Sequence, residues 1–220
     1  MPPALIVFDL DGTLIDSAPD LAAAVNGMLA GLGCEPLALS EVRRMIGDGA
    51  AMLVTRALAA RGCAQADPAA AARAFTQHYE SALTSRTTVF PGVGEALETL
   101  RAAAIALAVC TNKPALLTSR ILKSLGLEDY FARVIGGDSL PFRKPDPRVL
   151  LAILEALGAP REKSLLVGDS EVDAATARAA QVRFVLMKQG YHRGAVEEIP
   201  CIAALEGFAD LPALVRALSD

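Results

Sequence analysis

The feature that most constrains this 220-residue chain is an apolar run near its N-terminus that ends in two acids. The run Ala4–Phe8 leads into Asp9 and Asp11, and Gly12 and Thr13 follow. A short continuous apolar run is typical of a strand that is buried on both faces of a parallel sheet. Ligands of such sheets bind beyond the carboxyl ends of the strands, so we expect Asp9 and Asp11 at the edge of a crevice. Two close carboxylates repel each other unless a cation or a proton intervenes, which indicates a metal site with an acid–base group.

Strand and helix patterns alternate along most of the chain. Further buried strands are predicted at 105–110, 133–135, 165–167 and 182–187. Helices are predicted between them at 92–103, 115–125, 148–157 and 171–180, and a short strand or loop at 203–208 precedes a last helix at 211–218. This alternation predicts an α/β fold with a Rossmann-like parallel sheet.

One segment departs from the alternation. Residues 16–86 are rich in alanine, carry almost no strand signal and show helical patterns at 21–32, 40–46, 50–60 and 68–84. We therefore predict a catalytic core formed by 1–15 and 87–220, with a helical cap domain, 16–86, inserted after the first strand. The sheet is expected to resume near Val89, and the cap to lie above the crevice.

Composition excludes several classes of partner. The net charge is −4 and no block of basic residues occurs, which argues against nucleic acid. No apolar run reaches the roughly 18 residues of a membrane span, and the N-terminus lacks the pattern of a signal peptide. We expect a cytoplasmic protein that does not bind membranes, either a monomer or a homodimer.

The cysteines predict no metal site or disulfide. Cys34, Cys63, Cys110 and Cys201 are widely spaced, and no two of them form a C-x-x-C pair. We therefore expect buried or free thiols in a reducing compartment.

Polar residues follow three more of the predicted strand regions. Thr111 and Asn112 follow the second strand, Lys144 lies in the loop after the third, and Asp169 and Asp173 follow the fourth. Each has a structural alternative, such as a helix cap for Thr111 or a solvated loop position for Lys144. In a parallel sheet, however, all of these ends share one edge with Asp9. That combination suits phosphoryl transfer through an aspartyl phosphate with a divalent cation.

The order of these motifs resembles the haloacid dehalogenase-like superfamily of phosphatases. Its D-x-D-G-T motif matches Asp9–Thr13, its strand-end Thr/Ser matches Thr111, its Lys before Pro matches Lys144, and its G-D-x-x-x-D motif matches Gly168–Asp173. The resemblance covers nearly the whole chain, because an inserted helical cap is also found in this superfamily.

The resemblance implies roles for the four acids. Asp9 is the expected nucleophile, and Asp11 the expected general acid and base. Mg²⁺ is the expected cofactor, held by the Asp9 carboxylate, the Asp11 backbone carbonyl and Asp169. Asp173 is expected near the cation, through a water molecule.

The remaining motif residues are expected to hold the phosphate of a small phosphorylated metabolite. Thr111, Asn112 and nearby backbone N–H groups would contact its oxygens, and Lys144 would place a positive charge against the phosphate and Asp9.

Substrate choice is expected to reside in the cap. Arg43, Arg44, Gly47 and Gly49 are the candidates, since a guanidinium group or a turn rich in N–H groups could bind a small carboxylate. The alternative, that the two arginines belong to a solvated helix face, remains open.

Within the superfamily, the motifs around Thr111 and Lys144 are most similar to those of bacterial phosphoglycolate phosphatases. Hydrolysis of 2-phosphoglycolate to glycolate is therefore the expected reaction. Alternatives are a phosphatase of another small organophosphate or sugar phosphate, a phosphomutase similar to β-phosphoglucomutase, and a non-catalytic phospho-receiver module. The absence of lysine between Asp16 and Arg86 argues against a phosphonate hydrolase with a Schiff-base lysine in the cap.

Overall fold

The computed structural model describes residues 3–63 and 66–218. The outer ends of the predicted core, 1–2 and 219–220, and residues 64–65 of the predicted cap lie outside the described residues. Within the described ranges, no helix combines the length and the apolar character needed to cross a membrane.

A six-stranded parallel sheet forms the centre of the molecule, as the alternating pattern predicts. Its strands are β1 (Leu5–Phe8), β4 (Ala106–Cys110), β5 (Arg133–Ile135), β6 (Ser164–Gly168), β7 (Arg183–Met187) and β8 (Ala203–Leu205), in the spatial order β5-β4-β1-β6-β7-β8. The N-terminal run thus becomes a central strand between β4 and β6. Phe8 pairs with Val109 on one side and with Val167 on the other, so three strands end at the same level.

Helices cover both faces of this sheet. They are α5 (Val93–Ala102), α6 (Ala115–Ser124), α7 (Arg148–Ala156), α8 (Glu171–Ala180) and α9 (Leu211–Ala217). Successive side chains of a strand point to opposite faces. Accordingly, Ile6 and Phe8 belong to one buried cluster and Leu5 and Val7 to another. A strand buried on both faces needs a continuous apolar run, which explains the sequence of β1.

The segment between the first strand and the rest of the sheet is helical. It contains α1 (Ala18–Gly31), α2 (Leu39–Arg43), α3 (Ala50–Ala60) and α4 (Pro68–Ser81). The helices α1 and α4 pack against each other through apolar residues such as Val25 and Phe75, which are almost fully buried. Pro68 follows the N-cap Asp67, whose carboxylate accepts a bond from Ala69 N at 2.9 Å. These features account for the start of α4 at the predicted residue.

The return from the helices to the sheet differs from the prediction. Val89 does not enter the main sheet, because β3 (Thr88–Val89) pairs antiparallel with β2 (Ile15–Asp16) in a separate two-stranded ribbon. The buried carboxylate of Asp20 reinforces this ribbon by accepting hydrogen bonds from Thr87 N at 2.8 Å and Thr87 Oγ1 at 2.7 Å. Two residues per strand are too few to produce a readable alternation in the sequence.

The cysteine expectation was wrong for one pair. Cys34 and Cys63 form a disulfide, with their Cα atoms 6.9 Å apart. Cys34 follows α1 and Cys63 follows α3, so packing of the helices brings together two residues separated by 29 positions. No local spacing motif reveals such a pair. The thiols of Cys110, which is buried, and Cys201, which is exposed, are free as expected.

Candidate active site

Three acids from two strand ends form a compact cluster. Asp9 follows β1, and Asp169 and Asp173 follow β6, with Asp173 in the first turn of α8. Each offers one carboxylate oxygen, and these oxygens lie within 4.8 Å of one another. All three residues are buried. We call Asp9, Asp169 and Asp173 the carboxylate cluster.

The cluster is electrostatically unfavourable by itself. Burial raises the pKa of Asp9 to about 6; Asp173 and Asp11 add to this rise and Lys144 opposes it. Burial, together with the charges of Asp173 and Asp9, also raises the pKa of Asp169 well above its ordinary value. Such shifts indicate that the charged form lacks sufficient positive charge nearby.

Lys144 supplies part of that charge. Its Nζ lies 2.6 Å from Asp173 Oδ1 and 2.8 Å from Asp9 Oδ1, and the residue is only 3% exposed. Burial alone lowers the pKa of Lys144, but the facing charges of Asp173 and Asp9 outweigh it and raise the pKa above its usual range. One lysine among three carboxylates leaves the cluster with excess negative charge.

Hydrogen bonds fix the orientation of two cluster members. Asp169 accepts from Thr13 Oγ1 at 2.8 Å and from Tyr191 N at 2.6 Å. Asp173 accepts from Ser170 Oγ at 2.6 Å, while Ser170 caps the N-terminus of α8. Asp173 also has Lys144 on its other oxygen, and its expected contact with a cation through water stays a prediction.

Gly12 permits this close packing. Its φ of +86° lies in the left-handed region, and a Cβ atom there would overlap the Asp169 carboxylate and lie 2.9 Å from the ring of Tyr191. The glycine of the D-x-D-G-T motif is therefore required by backbone geometry and by the approach of Asp169.

The cluster has the donor set of a divalent metal site. Its ligand atoms are all oxygens, which suit hard cations such as Mg²⁺. The Oδ1 atom of Asp9 is buried, and its contact among the described residues is the ion pair with Lys144, whose ammonium is shared with Asp173. An added cation would satisfy this oxygen and offset the excess negative charge, so the residues fit such an ion.

Asp11 has a different environment from the cluster. Its Oδ2 lies 3.0 Å from Lys113 Nζ, and its Oδ1 accepts a hydrogen bond from Ser17 Oγ at 2.5 Å. Lys113 in turn donates to Tyr79 Oη at 2.8 Å. Lys113 had no role among the residues predicted from the sequence; the available signal was its position two residues after Thr111 in the same polar strand end.

Thr111 and Asn112 lie where β4 ends, beside Asp9 and Asp11. The Oγ1 atom of Thr111 accepts from Lys113 N at 3.2 Å. The Nδ2 group of Asn112 donates to Gly47 O at 3.0 Å and to Lys144 O at 3.1 Å. Both Asn112 amide donors are thus committed to backbone carbonyls, which leaves this side chain no free N–H for the phosphate contact expected of it.

A cavity of about 270 Å³ lies between these strand ends and the helices α1, α3 and α4. Asp9, Asp11, Thr111 and Asn112 line it from the sheet, together with Lys113. Across from them lie Gly47, Gly49 and apolar or aromatic side chains including Leu21, Leu53, Phe75 and Tyr79. A volume of this order accommodates a small organic molecule.

The two arginines expected at this cavity do not line it. Arg43 forms an ion pair with Asp16 at 2.6 Å, and its guanidinium carbon lies 5.4 Å from the centre of the Tyr191 ring. Arg44 is exposed. Both arginines lie at the end of α2, outside the lining of the cavity, whereas the turn that follows brings Gly47 and Gly49 to its wall.

A second contact joins the same turn to the sheet side. Arg193, in the loop after β7, forms an ion pair with Asp48, which also contacts Arg56 at 2.5 Å. Burial works against the ionised form of Asp48, but these two arginines outweigh it and lower its pKa. The turn 47–49 is therefore held over the strand ends by charge as well as by the bond from Asn112.

Comparisons with known proteins agree with this architecture. A family model for haloacid dehalogenase-like hydrolases matches residues 6–187. The chain belongs to the haloacid dehalogenase-like hydrolase family. The match begins within β1 and ends with β7, so it includes Asp9, Asp11, Thr111, Lys144 and the G-D-x-x-x-D motif.

Similar curated proteins carry a common name. A phosphoglycolate phosphatase from Cereibacter sphaeroides is 46% identical over 215 residues, covering 97% of this chain and 98% of that protein. A phosphoglycolate phosphatase from Rhodospirillum rubrum is 43% identical over 95% of this chain and 89% of its own length.

A solved structure shares the fold over nearly the whole length. The crystal structure of a predicted phosphoglycolate phosphatase from Haemophilus somnus superposes with a TM-score of 0.91 at 32% identity. The match covers 96% of this chain and 97% of that one. The sheet and the helical segment are therefore both part of the fold that the two proteins share.

Proposed function

We propose that this protein is a Mg²⁺-dependent phosphatase that hydrolyses 2-phosphoglycolate to glycolate and phosphate through an aspartyl phosphate. The observation that carries the proposal is the position of Asp9. Its carboxylate belongs to the buried cluster with Asp169 and Asp173, and the residue also lines the cavity that contains Asp11. The curated relatives named phosphoglycolate phosphatase support the choice of substrate.

Asp9 is the nucleophile in this proposal. A carboxylate attacks phosphorus only when its repulsion from the phosphate oxygens is masked. Lys144, 2.8 Å from Asp9, contributes to that masking. Asp9, Asp169 and the backbone carbonyl of Asp11 would hold Mg²⁺, with Asp173 beside them; the bound ion would supply the remaining positive charge.

Asp11 is the general acid and base. It lies two residues from the nucleophile, on the cavity wall, and its carboxylate is outside the carboxylate cluster. Its side chain can therefore give a proton to the leaving alkoxide and later take one from the water that cleaves the acyl phosphate. The hydrogen bond from Ser17 at 2.5 Å orients the carboxylate for this task.

Thr111 and the backbone N–H groups of the following residues would hold the phosphoryl oxygens. Preorganised donors of this kind stabilise the charge that develops during transfer. The helices within 16–86 would act as a cap domain over the core formed by 1–15 and 87–220, and the turn with Gly47 and Gly49 would contact the organic part of the substrate.

A panel of phosphate monoesters tests the proposal. Phosphate release should be fastest, by kcat/KM, with 2-phosphoglycolate, and EDTA should abolish it in a way that added Mg²⁺ reverses. Preference for another monoester would reject the substrate but retain the reaction. An isomerised sugar phosphate as product, without free phosphate, would identify a mutase. A stable phosphoprotein without turnover would identify a receiver module.

A further inference from the structure

We propose that Lys113 selects the substrate by binding its carboxylate group. The inference rests on the proposed function, because it concerns the part of 2-phosphoglycolate that distinguishes it from other small phosphate esters. Neither the motif positions nor the relatives assign a role to this residue.

The charge of the cavity wall singles out Lys113. Among the described residues that line the cavity, Asp9, Asp11, Glu80 and Asp138 are acidic, and Lys113 is the only basic one. A second anionic group on the substrate would be repelled by these four acids and attracted by Lys113. The helical segment contributes no lysine, since none occurs between Asp16 and Arg86, and its Arg43 and Arg44 lie outside the lining.

The ammonium group is held in place and retains a free donor. It contacts Asp11 Oδ2 at 3.0 Å and Tyr79 Oη at 2.8 Å, and it lies 4.7 Å from the centre of the Tyr79 ring. An ammonium has three N–H donors, so among the described residues these two contacts leave one for a ligand. Lys113 is 6% exposed, and a charge-assisted bond in such a site is strong.

The position also matches the geometry of the substrate. Asp11 must reach the ester oxygen of the leaving group, and in 2-phosphoglycolate only one methylene separates that oxygen from the carboxylate. A substrate whose ester oxygen meets Asp11 therefore places its carboxylate beside the neighbour of Asp11, which is Lys113. Tyr79, in α4, accepts the hydrogen bond that holds the Lys113 ammonium in this position.

The surroundings of Lys113 favour its charged form. Burial by itself lowers the pKa of this lysine, but Asp11 and Tyr79 outweigh burial and raise it above its usual value.

The test compares two substrates that differ in the carboxylate alone. The second substrate is 2-hydroxyethyl phosphate, in which a neutral hydroxymethyl group replaces the carboxylate. The measured quantity is the selectivity ratio, kcat/KM for 2-phosphoglycolate divided by kcat/KM for 2-hydroxyethyl phosphate. Any common loss, such as a disturbed Asp11, cancels in this ratio.

Lys113→Met should lower the selectivity ratio about 10- to 100-fold, the usual contribution of one charge-assisted hydrogen bond. Tyr79→Phe removes the acceptor that positions the ammonium, and it should lower the ratio about threefold. Lys188→Met is the matched control, because Lys188 pairs with Glu206 at the surface, away from the cavity. Its ratio should equal that of the wild type.

The outcomes separate the two proposals. If the wild type prefers 2-phosphoglycolate and both variants keep its selectivity ratio, the role of Lys113 is rejected while the proposed function stands. If the wild type itself shows no preference, the substrate assignment is rejected together with the role of Lys113. If Lys113→Met does not fold, the ratio of Tyr79→Phe alone decides, and an unchanged ratio rejects the inference.

Discussion

The two sides of the cavity are built in different ways. On the sheet side, Asp9, Lys144 and Asp169 follow paired strands or lie buried against them, and each is at most 7% exposed. On the helical side, Gly47 and Gly49 lie in a turn between two helices, and Arg43 is held at the rim by an ion pair with Asp16. The carboxylate cluster is thus positioned by paired strands, whereas the opposite wall of the cavity is positioned by helix ends and ion pairs.

Three polar contacts join the sheet side of the cavity to the helical side. Lys113 of the sheet side bonds Tyr79 of α4, Asn112 bonds the carbonyl of Gly47, and Arg193 pairs with Asp48. These contacts all lie at or near the cavity. Changes in the carboxylate cluster should therefore remove the reaction, whereas changes at Lys113 or on the helical side should alter its rate or selectivity.

The largest effect is expected at Asp9. Asp9→Asn should lower kcat by about 10⁴-fold or more, because the variant lacks the nucleophile. Phosphate release under saturating 2-phosphoglycolate measures it. Asp129→Asn, a change at an exposed acid, is the control and should leave kcat within about twofold. Wild-type turnover by Asp9→Asn would remove the basis of the sheet-side assignment.

Removal of the metal should come next. Chelation by EDTA should lower kcat/KM by about 10²- to 10⁴-fold, because a bound cation contributes several kcal/mol to stabilisation of the transition-state charge. Mg²⁺ in excess of EDTA should restore the rate. Unchanged activity after exhaustive chelation would show that Lys144 suffices to mask the phosphate charge.

Asp9→Asn should lower activity, but the same substitution should raise the stability of the metal-free protein. In metal-free protein the pKa of Asp9 is about 6, against 3.8 ordinarily, so the folded state holds its proton more tightly than the unfolded state. The stability that this proton contributes is complete below about pH 4 and is lost as the pH rises to about 6.

Asp9→Asn cannot ionise, so in EDTA at pH 8 the variant should be more stable than the wild type by about 1–3 kcal/mol. The difference should shrink toward pH 4. Urea denaturation at both pH values measures it, and a variant less stable than the wild type at pH 8 would contradict the electrostatic description of the cluster.

Glycine substitutions compare the backbones of the two sides. Gly12→Ala should cost about 2–4 kcal/mol, because it adds an overlap with Asp169 to the strain of a positive φ. Gly33→Ala, with a φ of +70° and no atom near its Cβ, should cost only about 1–2 kcal/mol. Equal losses of unfolding free energy would show that the approach to Asp169 is not tight.

The smallest effect is expected at the arginines of α2. Arg43→Gln breaks a partly exposed ion pair and should change kcat/KM by about threefold, since such pairs contribute less than about 1 kcal/mol. Arg44→Gln should have no measurable effect. A loss of 100-fold in either variant would place that arginine on the substrate and restore the expectation drawn from the sequence.

The contrast between the two sides also explains what the sequence could predict. Apolar runs predict the strands of the main sheet. The shared edge of parallel strands then predicts that Asp9, Asp169 and Lys144 lie together. The role of Asp173 beside Lys144 was only partly foreseen, because a first-turn acid in a helix is also an ordinary capping residue.

The parts that could not be predicted depend on packing between distant segments. Three such contacts join residues that share no local sequence pattern. They are the disulfide of Cys34 and Cys63, the pairing of Ile15 with Val89 in the ribbon, and the hydrogen bond from Lys113 to Tyr79. Arg43 and Arg44 were expected at the cavity because a guanidinium group could bind a carboxylate; their place outside its lining depends on how α2 packs, which no local pattern shows.

The most direct test of the account is to trap the covalent intermediate on Asp9. Borohydride added during turnover of 2-phosphoglycolate reduces an acyl phosphate of aspartate to homoserine, which mass spectrometry can locate in a peptide. The account predicts homoserine at position 9, dependent on Mg²⁺ and absent without substrate. Homoserine at another acid, or phosphate release with no modified residue under conditions that trap a synthetic acyl phosphate, would contradict it.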